Sequence, residues 1–210
     1  MSSLTKRFLV GFGIVAALCV IWGTAMDFSL LRLIFKPIPV LCMAVWVYIG
    51  KKDSYDIQIF RGLVLCALGD LLLEVGEKTF LAGVLAFLFG QLFYTSAFLK
   101  RTRVLGLPYA LPFALWGILV YLFLMPHLGS MTIPVGFYIA AICAMMWRAA
   151  VTRVFLAGAG ALLFGLSDTL LAINRWYAPI PAASYLIIIL YWAGQVGIGK
   201  SVERQIISAR

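Results

Sequence analysis

The sequence predicts an all-α polytopic membrane protein of about eight transmembrane helices, and two observations carry that prediction. Hydrophobic residues make up 64% of the 210 positions and charged residues 12%, with a mean hydropathy of +1.04. Soluble domains do not have such a composition. The apolar residues are also gathered into runs close to the length of about 20 residues that a bilayer-crossing helix requires. These runs are 8–26, 30–49, 57–75, 80–99, 108–125, 133–147, 154–173 and 180–199.

The first run follows Lys6 and Arg7 as a signal peptide would, but it lacks a convincing small-x-small cleavage site and reads as a retained span. The second contains Pro37 and Pro39 beside Lys36. Such a break is tolerated where neighbouring protein or a polar cavity satisfies the freed carbonyls. The third carries Asp70 and Glu74, and the fourth places Gln91 and Tyr94 on one face. The fifth opens on Pro108, and the Pro/Gly-bounded loop after it holds His127, read as a surface residue. The sixth is short and extends toward Ala150. The seventh carries Asp168 and closes on Asn174, a candidate cap, while the eighth sets Ser184, Tyr191 and Gln195 on one face.

With the N-terminus on the cytoplasmic side, the inner segments collect Lys6, Arg7, Lys51, Lys52, Arg61, Lys100, Arg101, Arg103, Arg148, Arg153, Lys200, Arg204 and Arg210. The outer side keeps Arg32, Lys36, Lys78 and Arg175. This positive-inside bias predicts that both termini are cytoplasmic. It also explains the net charge of +9 without nucleic acid, because the basic residues sit in short gaps and build no basic, aromatic-bearing surface.

The chain reads as a single transmembrane domain over 1–210. Within it, Gly69-Asp70-x-Leu72-Leu73 returns as Ser167-Asp168-x-Leu170-Leu171, and Tyr94 returns as Tyr191. These matches outline two four-helix halves, 8–99 and 108–199, a parallel repeat with its axis along the membrane normal. Asp70 and Asp168 then become equivalent positions facing one cavity.

A carboxyl group in hydrocarbon costs several kcal/mol, so intramembrane aspartates are functional-site candidates by default. Lys36 lies at a comparable depth, available to neutralise one carboxylate or to meet a phosphate. Glu74 lies close enough to its span end to be simply solvated. The cysteines Cys19, Cys42, Cys66 and Cys143 all fall in apolar runs without CxxC or Cys/His spacing, as small buried hydrophobes rather than disulfides or metal ligands. One loop histidine does not build a zinc hydrolase, and the chain has no G-x-S-x-G nucleophile elbow. Carboxyl acid-base chemistry remains. Two carboxyls sharing a low-dielectric cavity do not both ionise readily, and such a pair supplies an acid and a base.

The run 62–70 ending in Gly69-Asp70, the pattern Phe80-x-x-Gly83-x-x-x-Phe87 and the pair Phe93-Tyr94 followed by Phe98 resemble the YhhN family of integral-membrane lysoplasmalogenases. Ser167-Asp168-x-x-x-Ala172-x-Asn174, Tyr191-x-x-x-Gln195 and the Lys36-x-x-Pro39 region agree with it. The resemblance extends from Lys36 to Gln195. Two departures stand out: Gln91 occupies the place of a family histidine, and Glu74 stands where an apolar residue is expected.

The resemblance implies hydrolysis of the vinyl ether bond of a lysoplasmalogen, in the bacterial inner membrane, without metal or cofactor. The products are a fatty aldehyde and glycerophosphoethanolamine or glycerophosphocholine. The implied catalytic residues are Asp70 and Asp168. Lys36, Gln91, Tyr94, Asn174, Tyr191 and Gln195 are the implied substrate-binding residues, and the expected partners are a lysophospholipid substrate and membrane lipid. The competing class is an ion- or proton-coupled transporter using the same aspartates.

Overall fold

The computed structural model describes residues 2–203, and among them every apolar run is helical. The order is α1 (Ser3–Ala25), α2 (Ser29–Phe35), α3 (Ile38–Gly50), α4 (Ser54–Val75), α5 (Glu77–Arg101), α6 (Leu107–Leu124), α7 (Thr132–Val151), α8 (Phe155–Trp176) and α9 (Ala183–Lys200). Two 3-10 turns, Met125–His127 and Gly129–Met131, join α6 to α7. No strand occurs among the described residues. The sixth run is longer than its strictly apolar stretch, because α7 continues through Arg148 to Val151.

Local chemistry sets the breaks. Pro37 has no N–H to extend the ladder, so α2 stops at Phe35 and α3 restarts at Ile38, leaving Lys36 at the interruption. The Asp53 side chain accepts from the N–H groups of Tyr55 at 3.0 Å and Asp56 at 3.2 Å, capping α4. At the far end of α4, Gly76 at φ +138° lets the chain turn directly into α5, a conformation open to glycine.

Taking α2 and α3 as one broken helix, the rods alternate in direction. At one end the start of α1 meets the chain leaving α9 through the Lys6–Glu203 ion pair at 3.9 Å. Trp46 near the end of α3 donates to Glu203 at 3.0 Å, and Tyr55 at the start of α4 shares a 2.6 Å hydrogen bond with Ser201. The opposite end gathers Asp27, Arg32, Glu74, Glu77 and Arg175. Arg148, counted with the basic loops in sequence, is buried and donates to the carbonyls of Thr102, Val104 and Leu105, fastening the α5–α6 connection. Arg204 and Arg210 lie outside the described residues.

The protein is a multi-pass integral membrane protein. Among the described residues, six helical segments are long and apolar enough to cross a membrane: Ser3–Ala25, Ser29–Gly50, Glu77–Arg101, Leu107–His127, Gly129–Val151 and Phe155–Trp176. α4 and α9 turn their polar residues inward, with Asp70, Tyr191 and Gln195 buried, and leave apolar residues such as Leu68 and Ile189 exposed on the outer face. α4 packs along α5 and α8 along α9, while α3 contacts both α4 and α9. The α6 face is apolar and open, with Leu111 62% and Leu119 66% exposed, as a lipid-facing helix requires.

The closest helix approach positions the site. A Cβ on Gly160 of α8 would stand 2.6 Å from the Ile198 backbone nitrogen and 2.7 Å from the Gly194 carbonyl oxygen of α9. Small residues at a membrane helix interface let backbones come this close, and van der Waals packing then substitutes for the hydrophobic drive absent in lipid.

Candidate active site

Asp70 on α4 and Asp168 on α8 stand in the wall of one cavity, which encloses about 980 Å³ of empty space with its mouth included. Each carboxyl is fixed by a tyrosine from a different helix. Tyr191 of α9 donates to Asp70 Oδ2 at 2.7 Å, and Tyr138 of α7 donates to Asp168 Oδ2 in a short hydrogen bond. The Oδ1 atom of each carboxyl takes no hydrogen bond from another described residue. Two acidic oxygens are therefore left to meet a ligand, while the other two lock the carboxyl planes.

The rest of the cavity is apolar. Phe87, Trp116, Val135, Ile142 and Met146 contribute to its walls. Phe87, Phe164 and Tyr191 pack edge to face around Asp70, with ring centroids 5.6 to 6.2 Å apart. Ser167, next to Asp168, donates to the Ile187 carbonyl at 2.8 Å and ties α8 to α9 at the aspartate's level. Such a chamber accommodates a hydrocarbon chain and presents few polar groups to it, the usual character of a small-molecule site.

Toward the acidic-and-basic end of the bundle the cavity continues into a polar vestibule containing Asp27, Arg32, Glu74, Asn174, Arg175 and Ser184. Lys36 belongs to both chambers. Its Nζ donates to Glu74 Oε2 at 3.0 Å, while Arg32 Nε donates to Glu74 Oε1 at 2.7 Å. Glu74 is thus largely enclosed and clamps two cations, which corrects the sequence expectation of a solvated span-end carboxylate.

The structure separates the expected lining residues into three groups. Lys36 and Tyr191 stand in the wall of the aspartate cavity. Asn174 stands in the vestibule, where its side chain accepts from the Ile180 N–H at 2.8 Å and so also caps. Gln91, Tyr94 and Gln195 do not line the cavity. They form a buried polar layer one to two helical turns earlier along α4, beside Cys66 and Gly62, where the Tyr94 ring lies against Gly62. Tyr94 donates to Gln195 Oε1 at 2.6 Å, and the fully buried Gln91 amide makes no hydrogen bond with a described residue. Helical periodicity puts Tyr191 and Gln195 on one face, but depth along the helix leaves only Tyr191 in the cavity wall.

Sequence reasoning missed Tyr138 and Arg32. A tyrosine inside an apolar run carries no motif, and only the pairing of α7 with α8 reveals its partner. Arg32 was legible as a charge near a span start, and its vestibule position follows from the helix break at Pro37. His127 is confined to the turn after α6, its ring edge-on to Tyr177 at 5.3 Å. The four cysteines are free thiols, and no group of three or more metal-ligating side chains occurs among the described residues.

Lysoplasmalogenase TMEM86A of Bos taurus is 32% identical to the chain over 201 residues, covering 87% of this chain and 82% of that protein. Lysoplasmalogenase TMEM86B of Homo sapiens is 31% identical over 195 residues, covering 88% and 80%. A bacterial lysoplasmalogenase, from Mycobacterium tuberculosis, is 34% identical over 159 residues, covering 69% of this chain and 58% of that protein. No solved structure matches the chain. The YhhN family profile matches residues 31–202, a span that contains both aspartates, their tyrosines and the vestibule cations, and the chain belongs to the YhhN family.

Proposed function

We propose that the protein is a lysoplasmalogenase, cleaving the vinyl ether bond of a lysoplasmalogen by carboxyl acid-base catalysis. The observation that carries this is the placement of Asp70 and Asp168, from two helices, in the wall of one apolar cavity that opens through a charged vestibule. The names of the relatives support the same substrate class, and no observation points to transport.

Vinyl ether cleavage begins with protonation on carbon, at the alkenyl carbon one removed from oxygen. The adjacent carbon becomes an oxocarbenium ion. One aspartate gives that proton, and the other, as carboxylate, faces the cation and takes a proton from the water that adds to it. The resulting hemiacetal collapses to a fatty aldehyde and the glycerol hydroxyl of the head-group product. One water is consumed, and the proton lent at the start is returned. Because every step is Brønsted chemistry, the reaction calls on no metal. Tyr191 and Tyr138 hold the two carboxyls by Oδ2 and leave Oδ1 for the substrate.

We read the membrane as a bacterial inner membrane with both termini in the cytoplasm, an orientation that the distribution of basic residues favours. The vestibule, at the opposite end from Lys6 and Glu203, then faces outward.

The test is incubation of purified, detergent-solubilised protein with lysoplasmalogen, with the aldehyde read by a coupled dehydrogenase. Turnover without any transmembrane gradient is the expected result. Binding without aldehyde release would contradict the enzyme assignment.

A further inference from the structure

The vestibule's cations are matched in charge by their carboxylate partners but keep hydrogen-bond donors that those pairs do not use. Arg32, Lys36 and Arg175 face Asp27 and Glu74 across it. Arg175 is turned outward, pairing with the exposed Glu77 at 2.7 Å. Arg32 uses Nε on Glu74 and Nη1 on Asp27 at 3.2 Å, while its Nη2 donates to no described residue. Lys36 spends one of its three ammonium protons, on Glu74. Glu74 therefore acts as a bracket that holds both cations in fixed orientation with donors to spare.

Position along the substrate makes this arrangement specific. Asp70 and Glu74 are one helical turn apart on the same face of α4, about 6 Å. In an sn-1 vinyl ether lysophospholipid six single bonds, from the ether-bearing vinyl carbon through the glycerol to phosphorus, separate the reacting centre from the phosphate, a reach of the same order when partly folded. With the vinyl ether beside Asp70, the phosphate falls at the level of Glu74, where Lys36 bridges the two chambers.

Resting on the lysoplasmalogenase proposal, we infer that Arg32 and Lys36, bracketed by Glu74, form the site for the phosphodiester of the substrate's head group, with Arg32 a specificity-determining residue. A fork of guanidinium donors and a point-charge ammonium are both suited to phosphate oxygens. Arg32 stays clear of the reacting carbons, so its contribution is to selection of a phosphate-bearing lipid.

The experiment compares kcat/KM for 1-alkenyl-glycerophosphoethanolamine with that for a phosphate-free 1-alkenylglycerol of the same chain length, in wild type, Arg32→Gln and Glu74→Gln. Wild type is expected to favour the phospholipid, and Arg32→Gln to reduce that preference by about tenfold or more. Glu74→Gln removes the carboxylate that orients both cations and is expected to reduce the preference as well, by less than Arg32→Gln does. If Arg32 serves only as a structural partner of Glu74, the two variants lose activity on both substrates alike with the preference unchanged, and the head-group site is overturned. A preference unchanged in Arg32→Gln overturns it as well, including the case in which the cations hold the phosphate of a neighbouring bilayer lipid. Turnover of neither substrate by the wild type would overturn the lysoplasmalogenase assignment itself, and the head-group site with it.

Discussion

Tyr191 donates its hydroxyl proton to Oδ2 of Asp70 at 2.7 Å, across the contact between the third and last rods of the bundle. The bond is buried, its donor comes from α9, and it fixes which oxygen of Asp70 faces the cavity. Tyr138 does the same for Asp168 from α7. The two aspartates sit in similar sequence motifs and are held by tyrosines from different helices, while Tyr94 is spent on Gln195.

Removing either hydroxyl frees one carboxyl to rotate without changing the charge or shape of the cavity. Tyr191→Phe and Tyr138→Phe are each expected to lower kcat about tenfold, the scale of one hydrogen bond to an acid-base group, with a smaller change in KM. Steady-state aldehyde release by the two purified variants checks this. Unchanged kcat in both would remove the tyrosines from the catalytic arrangement.

Protonation on carbon leaves an isotopic record. In deuterium oxide the fatty aldehyde trapped immediately by reduction is expected to carry one deuterium on the carbon next to the former aldehyde carbon. Mass spectrometry of the alcohol gives the count. Product without that label would mean that the carbon–oxygen bond breaks by another route.

The α8–α9 contact gives a paired stability prediction. Gly160→Ala places a methyl 2.6 Å from the Ile198 nitrogen, a contact made with rigid backbone, whereas Gly158→Ala meets nothing within 4 Å. Gly160→Ala is expected to destabilise by about 1–3 kcal/mol, as overpacking does, and to lower activity because Asp168 and Tyr191 lie on the two helices forced apart. Gly158→Ala is expected to be neutral. Thermal unfolding in detergent separates the two, and equal melting temperatures would contradict the packing described.

Much of this architecture is legible in the sequence alone. Apolar run length located the helices, since a lipid-exposed backbone has to satisfy its own hydrogen bonds and so ends where the apolar residues end. The two aspartates announced themselves because a carboxyl in hydrocarbon is costly to keep. Lys36 was legible for the same reason, and Pro37 supplied the break that displays it. What could not be read were distances between helices. Gln195 and Tyr191 share a face and differ by one turn, yet one is sealed against Tyr94 and the other reaches Asp70. Glu74 looked solvated because a sequence shows nearness to a span end but not that Arg32 and Lys36 converge on it. Tyr138 gave no signal at all, being one aromatic residue among many in an apolar helix.

The most direct measurement is aldehyde release by Asp70→Asn, Asp168→Asn and the double variant, each first shown to insert and to unfold cooperatively like the wild type. Two carboxyls acting on one vinyl ether form a unit, so each single variant is expected to fall at least about 100-fold, to the same floor as the double. Near-wild-type turnover in either single variant, or losses that multiply in the double, would contradict a shared acid-base site.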